Sequence, residues 1–217
     1  MTEPARTGRD QPVTRDEVVE TALRLIEAND VTALTMRRLA GELGVAVTSI
    51  YWHVGNRDAL LDLLVERLLA DMGGFRANGR TPRARITSLL RQLRQRLWNR
   101  PHLIAVAHER GLTGAMFQPV QAALASELAA VGLHGQDAAL AVRALQVHVT
   151  ASIVLQRAAD RGPATTPTDP SAWRDSDDPE LVAALAEPLD YDTVFTFGVE
   201  ALLDRLLPQH PRGVAPG

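Results

Sequence analysis

Apolar residues recur along this chain at intervals of three and four. Val18, Ala22, Leu25 and Ile26 form one such stripe, and Ile86, Leu89, Leu90, Leu93 and Leu97 form another. That spacing gathers each stripe on one side of an α-helix, whereas a strand would scatter it over two faces. No stretch of six or more residues alternates Val, Ile, Thr or an aromatic with a polar residue. Apolar residues make up 46% of the chain but aromatics only 4%, so the core is built of Ala, Leu and Val. Ala and Leu head the helix-propensity scale. An all-α protein is expected.

At 217 residues the chain is long for one compact domain and short for two large ones, so a small module joined to a larger one is expected. Cysteine is absent, which excludes a disulfide framework and a thiolate zinc site. Residues 1–17 lack the apolar segment of a secretory signal, and no apolar run approaches the ~20 residues that span a bilayer. A cytoplasmic protein with no membrane partner is expected. The net charge of −3 excludes little, because a DNA-binding protein needs a local basic patch and not a basic average.

The polar segment 1–13, with Arg6 and Arg9, reads as a mobile arm. A first helix starts behind Thr14, where Glu17 completes a capping box, and ends at Asn29-Asp30. A second follows Thr35, and a third lies near 47–53. Asn56 caps a fourth, whose many leucines leave little room for a polar face. Gly73-Gly74 ends it. Pro82 opens a helix behind Thr81, Pro101 a short one to about 109, and Pro119 another to about 131. Asp137 caps a long helix to about 160. Residues 161–179 read as a loop, 179–187 as a short helix and 190–207 as the last one, before a frayed tail.

The segment Met36–Gly55, MRRLAGELGVAVTSIYWHVG, meets four demands of a helix-turn-helix. Ala40 is small where two helices must cross, and Gly44 tolerates the sharp turn. Leu39, Leu43, Val45 and Ile50 pin both helices to a core. The start of the second helix then offers Val47, Thr48 and Ser49, short side chains suited to thymine methyls and hydroxyl hydrogen bonds. Tyr51, Trp52 and His53 follow together, able to donate to phosphate oxygens while their rings pack on sugar edges. Arg37 can reach a base or a phosphate, and Arg57 adds charge to a helix N-terminus that already attracts anions.

The run LTMRRLAGELGVAVTSIYWHVGNRDALLDLL resembles the DNA-binding region of the tetracycline-repressor (TetR) family, and its Tyr-Trp-His-Val with Asn-Arg is similar to the tetracycline-repressor branch. The resemblance covers about residues 14–70, with a fainter echo in FTFGVEALLDRLL near the end. It implies a homodimeric ligand-responsive repressor that binds a two-fold symmetric operator in double-stranded DNA and is released by a small-molecule effector. Base readers then correspond to Arg37, Val47, Thr48 and Ser49, and phosphate contacts to Tyr51, Trp52, His53 and Arg57. Positions 46–48 and Gly55 depart from that branch's pattern, so its operator does not carry over. The organisation expected is a helix-turn-helix domain at 14–56, a connecting helix at 57–72 and a ligand-binding and dimerisation domain at 75–207.

Within the last part, the helix at 137–160 is apolar over much of its circumference, and the last helix shows Val194, Phe197, Ala201, Leu202 and Leu206. The resemblance assigns these two helices to a four-helix dimer interface. Trp98, His102, His108, Phe117, Gln146, His148 and Thr150 are polar or aromatic groups in apolar helices and are the candidate ligand contacts, since buried polar groups need partners. His102 and His108 stand about 240° apart on a helix and make no metal pair. No HExxH motif, phosphate loop or carboxylate cluster occurs, so neither a cofactor nor a metal is expected. Arg80, Arg83, Arg85, Arg91, Arg94, Arg96 and Arg100, with no acid among them, read as a solvated face pairing with acids elsewhere. Two other functions remain open: an architectural DNA-binding protein without ligand, and a helical enzyme using one of the six histidines.

Overall fold

The computed structural model describes residues 13–29, 31–161 and 177–207. The arm with Arg6 and Arg9, Asp30, nearly all of the 161–179 loop and the tail from Pro208 lie outside the described residues. Among these there is no strand, and the helices are α1 (Arg15–Ala28), α2 (Met36–Leu43), α3 (Val47–Val54), α4 (Arg57–Met72), α5 (Pro82–Trp98), α6 (Leu103–Glu109), α7 (Thr113–Ala129), α8 (Gly135–Arg161), α9 (Pro179–Ala186) and α10 (Tyr191–Leu206).

Helix starts follow local chemistry closely. Thr14 accepts from the Glu17 N–H at 3.2 Å while the Glu17 carboxylate accepts from the Thr14 N–H at 2.9 Å, closing the capping box. Thr35, Asn56, Thr81 and Asp178 each accept from a backbone N–H three residues on. Three starts differ from the expected ones. α6 begins at Leu103, two residues after Pro101. α7 begins at Thr113, so Pro119 lies inside it and cannot donate to the carbonyl one turn back. α8 begins at Gly135, which puts Asp137 in its first turn, where its charge still favours the helix N-terminus.

The chain divides into two compact units. Among the described residues, one holds those up to Gly74 together with Arg96–Pro119, and the other holds Phe75–Gln95 and those from Val120 on. α6 therefore falls in the unit of the N-terminal helices. The physical reason is packing: Val106 joins the core of Val18, Ala22, Leu39, Ile50 and Leu60, with Leu112 half-buried against it. α4 contributes Leu60, Leu61, Leu64 and Val65, all fully buried, with Leu63 and Leu69 half-buried beside them. Its apolar arc is broad but not complete, because Glu66 and Arg67 are exposed.

In the second unit α8 packs on α10. His148 stacks on Phe195, with ring centroids 5.6 Å apart and planes 9° apart, and its Nε2 lies 3.0 Å from the Phe195 carbonyl oxygen. Gly198 makes this crossing possible, since a Cβ there would stand 2.2 Å from His148 Cε1. The arginine-rich α5 pairs with acids as its composition predicts: Arg83 with Asp204, Arg85 with Glu127 at 2.6 Å and Arg94 with Asp192 at 2.5 Å. The opposite side of α8 and α10 carries exposed apolar groups, among them Leu140, Val147, Val154, Leu155, Val194 and Phe197. By length and composition alone, α8 could cross a membrane, where the sequence reading found no run of that length. Arg143, Gln146 and His148 sit within it, and they interrupt any purely apolar surface.

Candidate nucleic-acid interface

α2 and α3 meet at a three-residue turn that the sequence dictates atom by atom. Gly44 ends α2 in the left-handed region at φ +68°, and its N–H reaches the carbonyls of Ala40 and Gly41. A Cβ at Gly44 would meet nothing within 4 Å, so glycine is required there by backbone conformation and not by space. Ala40 is buried at the crossing, and Leu39, Leu43, Ile50 and Val54 anchor both helices in the core of the first unit.

With Ile50 and Val54 turned inward, α3 must present its other side to solvent. Thr48 is exposed, Tyr51 is 49% exposed and Trp52 is 83% exposed. Val47, Ser49 and His53 are half-buried beside them. The Trp52 and His53 rings meet edge to face, with centroids 5.0 Å apart. Neither Tyr51 nor Trp52 is a core aromatic, and water-exposed tryptophan is costly unless something covers it. The N-terminus of α3 differs from those of α1, α2 and α4. Ala46 precedes it and offers no side-chain cap; the Ser49 N–H donates to the Ala46 carbonyl at 3.0 Å, while no side chain caps those of Val47 and Thr48. Arg37, in the first turn of α2, is exposed.

Arg57 is engaged within its own unit. Its Nε donates to the Leu34 carbonyl at 3.2 Å, one terminal nitrogen donates to the Val31 carbonyl at 3.2 Å, and the other pairs with Glu109 at 2.5 Å. Those bonds occupy the guanidinium in tying the start of α4 to the 3-10 turn Val31–Ala33 and to the end of α6. A phosphate contact would have to compete with them. The same seam holds a second clamp, in which Arg110 donates to both Asp62 oxygens at 2.7 and 3.0 Å and lies 3.5 Å from Asp58. The hydrogen bonds from Arg110 hold the Asp62 carboxyl below the usual carboxylate range, against the opposing effect of its partial burial. Sequence reading missed Glu109, Arg110 and Asp62. Only the Asp58–Asp62 spacing, which sets two acids on one face of α4, hinted at a partner there.

The candidate ligand contacts divide between the two units. Trp98, His102, His108 and Phe117 belong to the first unit; Phe117 is buried and His108 exposed. Gln146, His148 and Thr150 belong to the second. Gln146 accepts from Gln121 at 2.6 Å, while His148 turns to the opposite flank of α8 and is engaged by Phe195. Thr150 stands apart, its hydroxyl buried and without a hydrogen-bond partner. Among the described residues no three His, Asp or Glu side chains gather as a metal set.

Comparison with known proteins bears on this geometry. The family model described as "Bacterial regulatory proteins, tetR family" matches residues 18–64, from within α1 to the middle of α4. An HTH-type transcriptional regulator of Saccharopolyspora erythraea is 29% identical over 187 residues, covering 86% of this chain and 73% of that protein. The class D tetracycline repressor of Escherichia coli is 43% identical over 56 residues, 26% of each chain. Among solved structures, the TetR family protein ActR of Streptomyces coelicolor is similar in its apo form at TM-score 0.66 and 30% identity, covering 92% of this chain and 97% of that one. Its complex with actinorhodin matches at TM-score 0.65 and 30% identity, covering 90% and 97%.

Proposed function

The chain belongs to the tetR family of bacterial regulatory proteins, and from that premise we propose that it represses transcription as a homodimer, binding a two-fold symmetric operator and leaving it when a small effector binds. The observation that carries this reading is the exposure of Tyr51 and Trp52 on the outer face of α3, beside Thr48 and an uncapped helix N-terminus. In the reading, α3 enters the major groove. Val47, Thr48 and Ser49 read base edges with Arg37, and Tyr51, Trp52 and His53 contact phosphates and sugars.

Two such helices must stand about 34–36 Å apart to meet successive turns of DNA, which a single chain cannot arrange. The exposed apolar face of α8 and α10 supports a four-helix interface between two copies. A solved relative bound to actinorhodin supports a small-molecule effector for this chain, of chemistry yet to be found. The effector acts by changing the separation of the two α3 helices. Driving the population from mostly competent to mostly incompetent takes about 5.5 kcal/mol of differential affinity. The paired clamps Arg57–Glu109 and Arg110–Asp62 support α4 and α6 moving together, so that a shift of α6 reaches the helix next to α3.

Selection of the purified full chain on a random duplex library tests the proposal. A site with two-fold symmetry is expected, bound about tenfold more weakly by Trp52→Ala at unchanged melting temperature. Enrichment of no sequence, or full affinity in the Trp52 variant, counts against it.

A further inference from the structure

A groove of about 430 Å³ runs between the second half of α7 and the first half of α8, within the second unit. Gln121, Ala125 and Ala129 line it from α7, and Ala138, Val142 and Arg143 from α8. Leu133, His134 and Gly135, where the two helices join, border it, and its size lies within the range of roughly 300–1,000 Å³ typical of small-molecule sites.

Its chemistry is one-sided. The lining includes an arginine and neither an aspartate nor a glutamate. Arg143 is exposed and makes no ion pair among the described residues, whereas Arg83, Arg85 and Arg94 of the same unit each do. Gln121 adds an amide to the lining, its Nε2 donating to Gln146 at 2.6 Å. The groove therefore sets a guanidinium beside a floor of alanines.

We propose that this groove binds an amphipathic organic acid, its apolar body on the alanines and its carboxylate on Arg143. A hydrocarbon would leave the Arg143 guanidinium unanswered and a cation would meet like charge, so an anion with an apolar tail is the complement of both halves. This site is separate from operator binding and does not depend on it.

Isothermal titration of the full chain with sodium octanoate, and with 1-octanol as the uncharged control, decides the matter. Octanoate is expected to bind, Arg143→Gln to weaken it about tenfold while leaving octanol unchanged, and Ala125→Trp to abolish both by filling the groove. Arg143 is exposed, so the first variant keeps its fold and the test survives if the second does not. No octanoate binding at millimolar concentration, or equal affinity in Arg143→Gln, overturns the proposal. So does a folded Ala125→Trp protein that binds octanoate as the parent does, since octanoate then sits elsewhere.

Discussion

On α3 the large exposed side chains are Tyr51 and Trp52; on α8 and α10 they include Leu140, Val147, Leu155 and Phe197. Both surfaces withhold apolar area from the core, yet they differ in what borders it. The α3 aromatics carry an O–H and an N–H and stand among Thr48, Ser49 and His53, next to helix N–H groups left uncapped. The α8–α10 face is mostly aliphatic, and its large exposed groups Leu140, Val147, Leu155 and Phe197 carry no hydrogen-bonding tip. A surface that mixes rings with hydrogen-bond donors suits phosphate and base edges, and an aliphatic one suits another protein surface of the same kind. The contrast teaches that exposure alone does not name a partner; the polar atoms around it do.

The largest effect comes from putting charge into the aliphatic face. Val147→Asp with Phe197→Asp should give a monomer in sedimentation velocity and lower operator affinity at least about 100-fold, because each half-site must then be found alone. A dimer that survives this change breaks the contrast between the two surfaces.

A steric probe at the base of the same face comes next. Gly198→Ala drives a methyl group into the His148 ring, and a loss of about 1–3 kcal/mol in urea unfolding is expected. Gly41→Ala in α2, where a Cβ meets nothing, should instead gain about 0.5–1 kcal/mol. Equal responses at both glycines would show the α8–α10 crossing to be looser than its geometry indicates.

The two arginines near α3 sharpen the DNA side. Arg37→Ala should reduce the salt dependence of operator binding by about one unit of slope. Arg57→Ala should leave the slope unchanged and lower stability by about 1 kcal/mol, since its guanidinium serves two carbonyls and Glu109. A slope change in the Arg57 variant would restore it to the phosphate contacts.

The smallest effect is electrostatic. Asp62 has its folded pKa lowered by Arg110, so its contribution is present above the unfolded pKa of about 4 and fades as pH falls through the folded value. Melting temperature followed from neutral into acid pH should fall less steeply in Arg110→Ala than in the parent. Parallel curves would show that the clamp adds nothing.

Much of this was legible in the residues. The caps at Thr14, Thr35, Asn56 and Thr81, the Gly44 turn and the inward set Leu39, Leu43 and Ile50 follow from contacts three or four residues long, and so does the outward placing of Tyr51 and Trp52 that results. Arg57 was not legible. Its helix-start position reads as an anion site, and only partners 23, 26 and 52 residues away turned the guanidinium inward. Nor was it legible that His148 meets the Phe195 carbonyl, which α10 brings from 47 residues away.

By itself, then, the sequence determined the helices, their stops and the helix-turn-helix, because caps, glycine conformation and apolar periodicity act over a single turn of chain. Tertiary structure alone decided which unit owns α6, which charges pair across α4 and α6, and where the α7–α8 groove stays unfilled. Those outcomes depend on side chains distant in sequence reaching the same few ångströms, and no local pattern encodes that meeting.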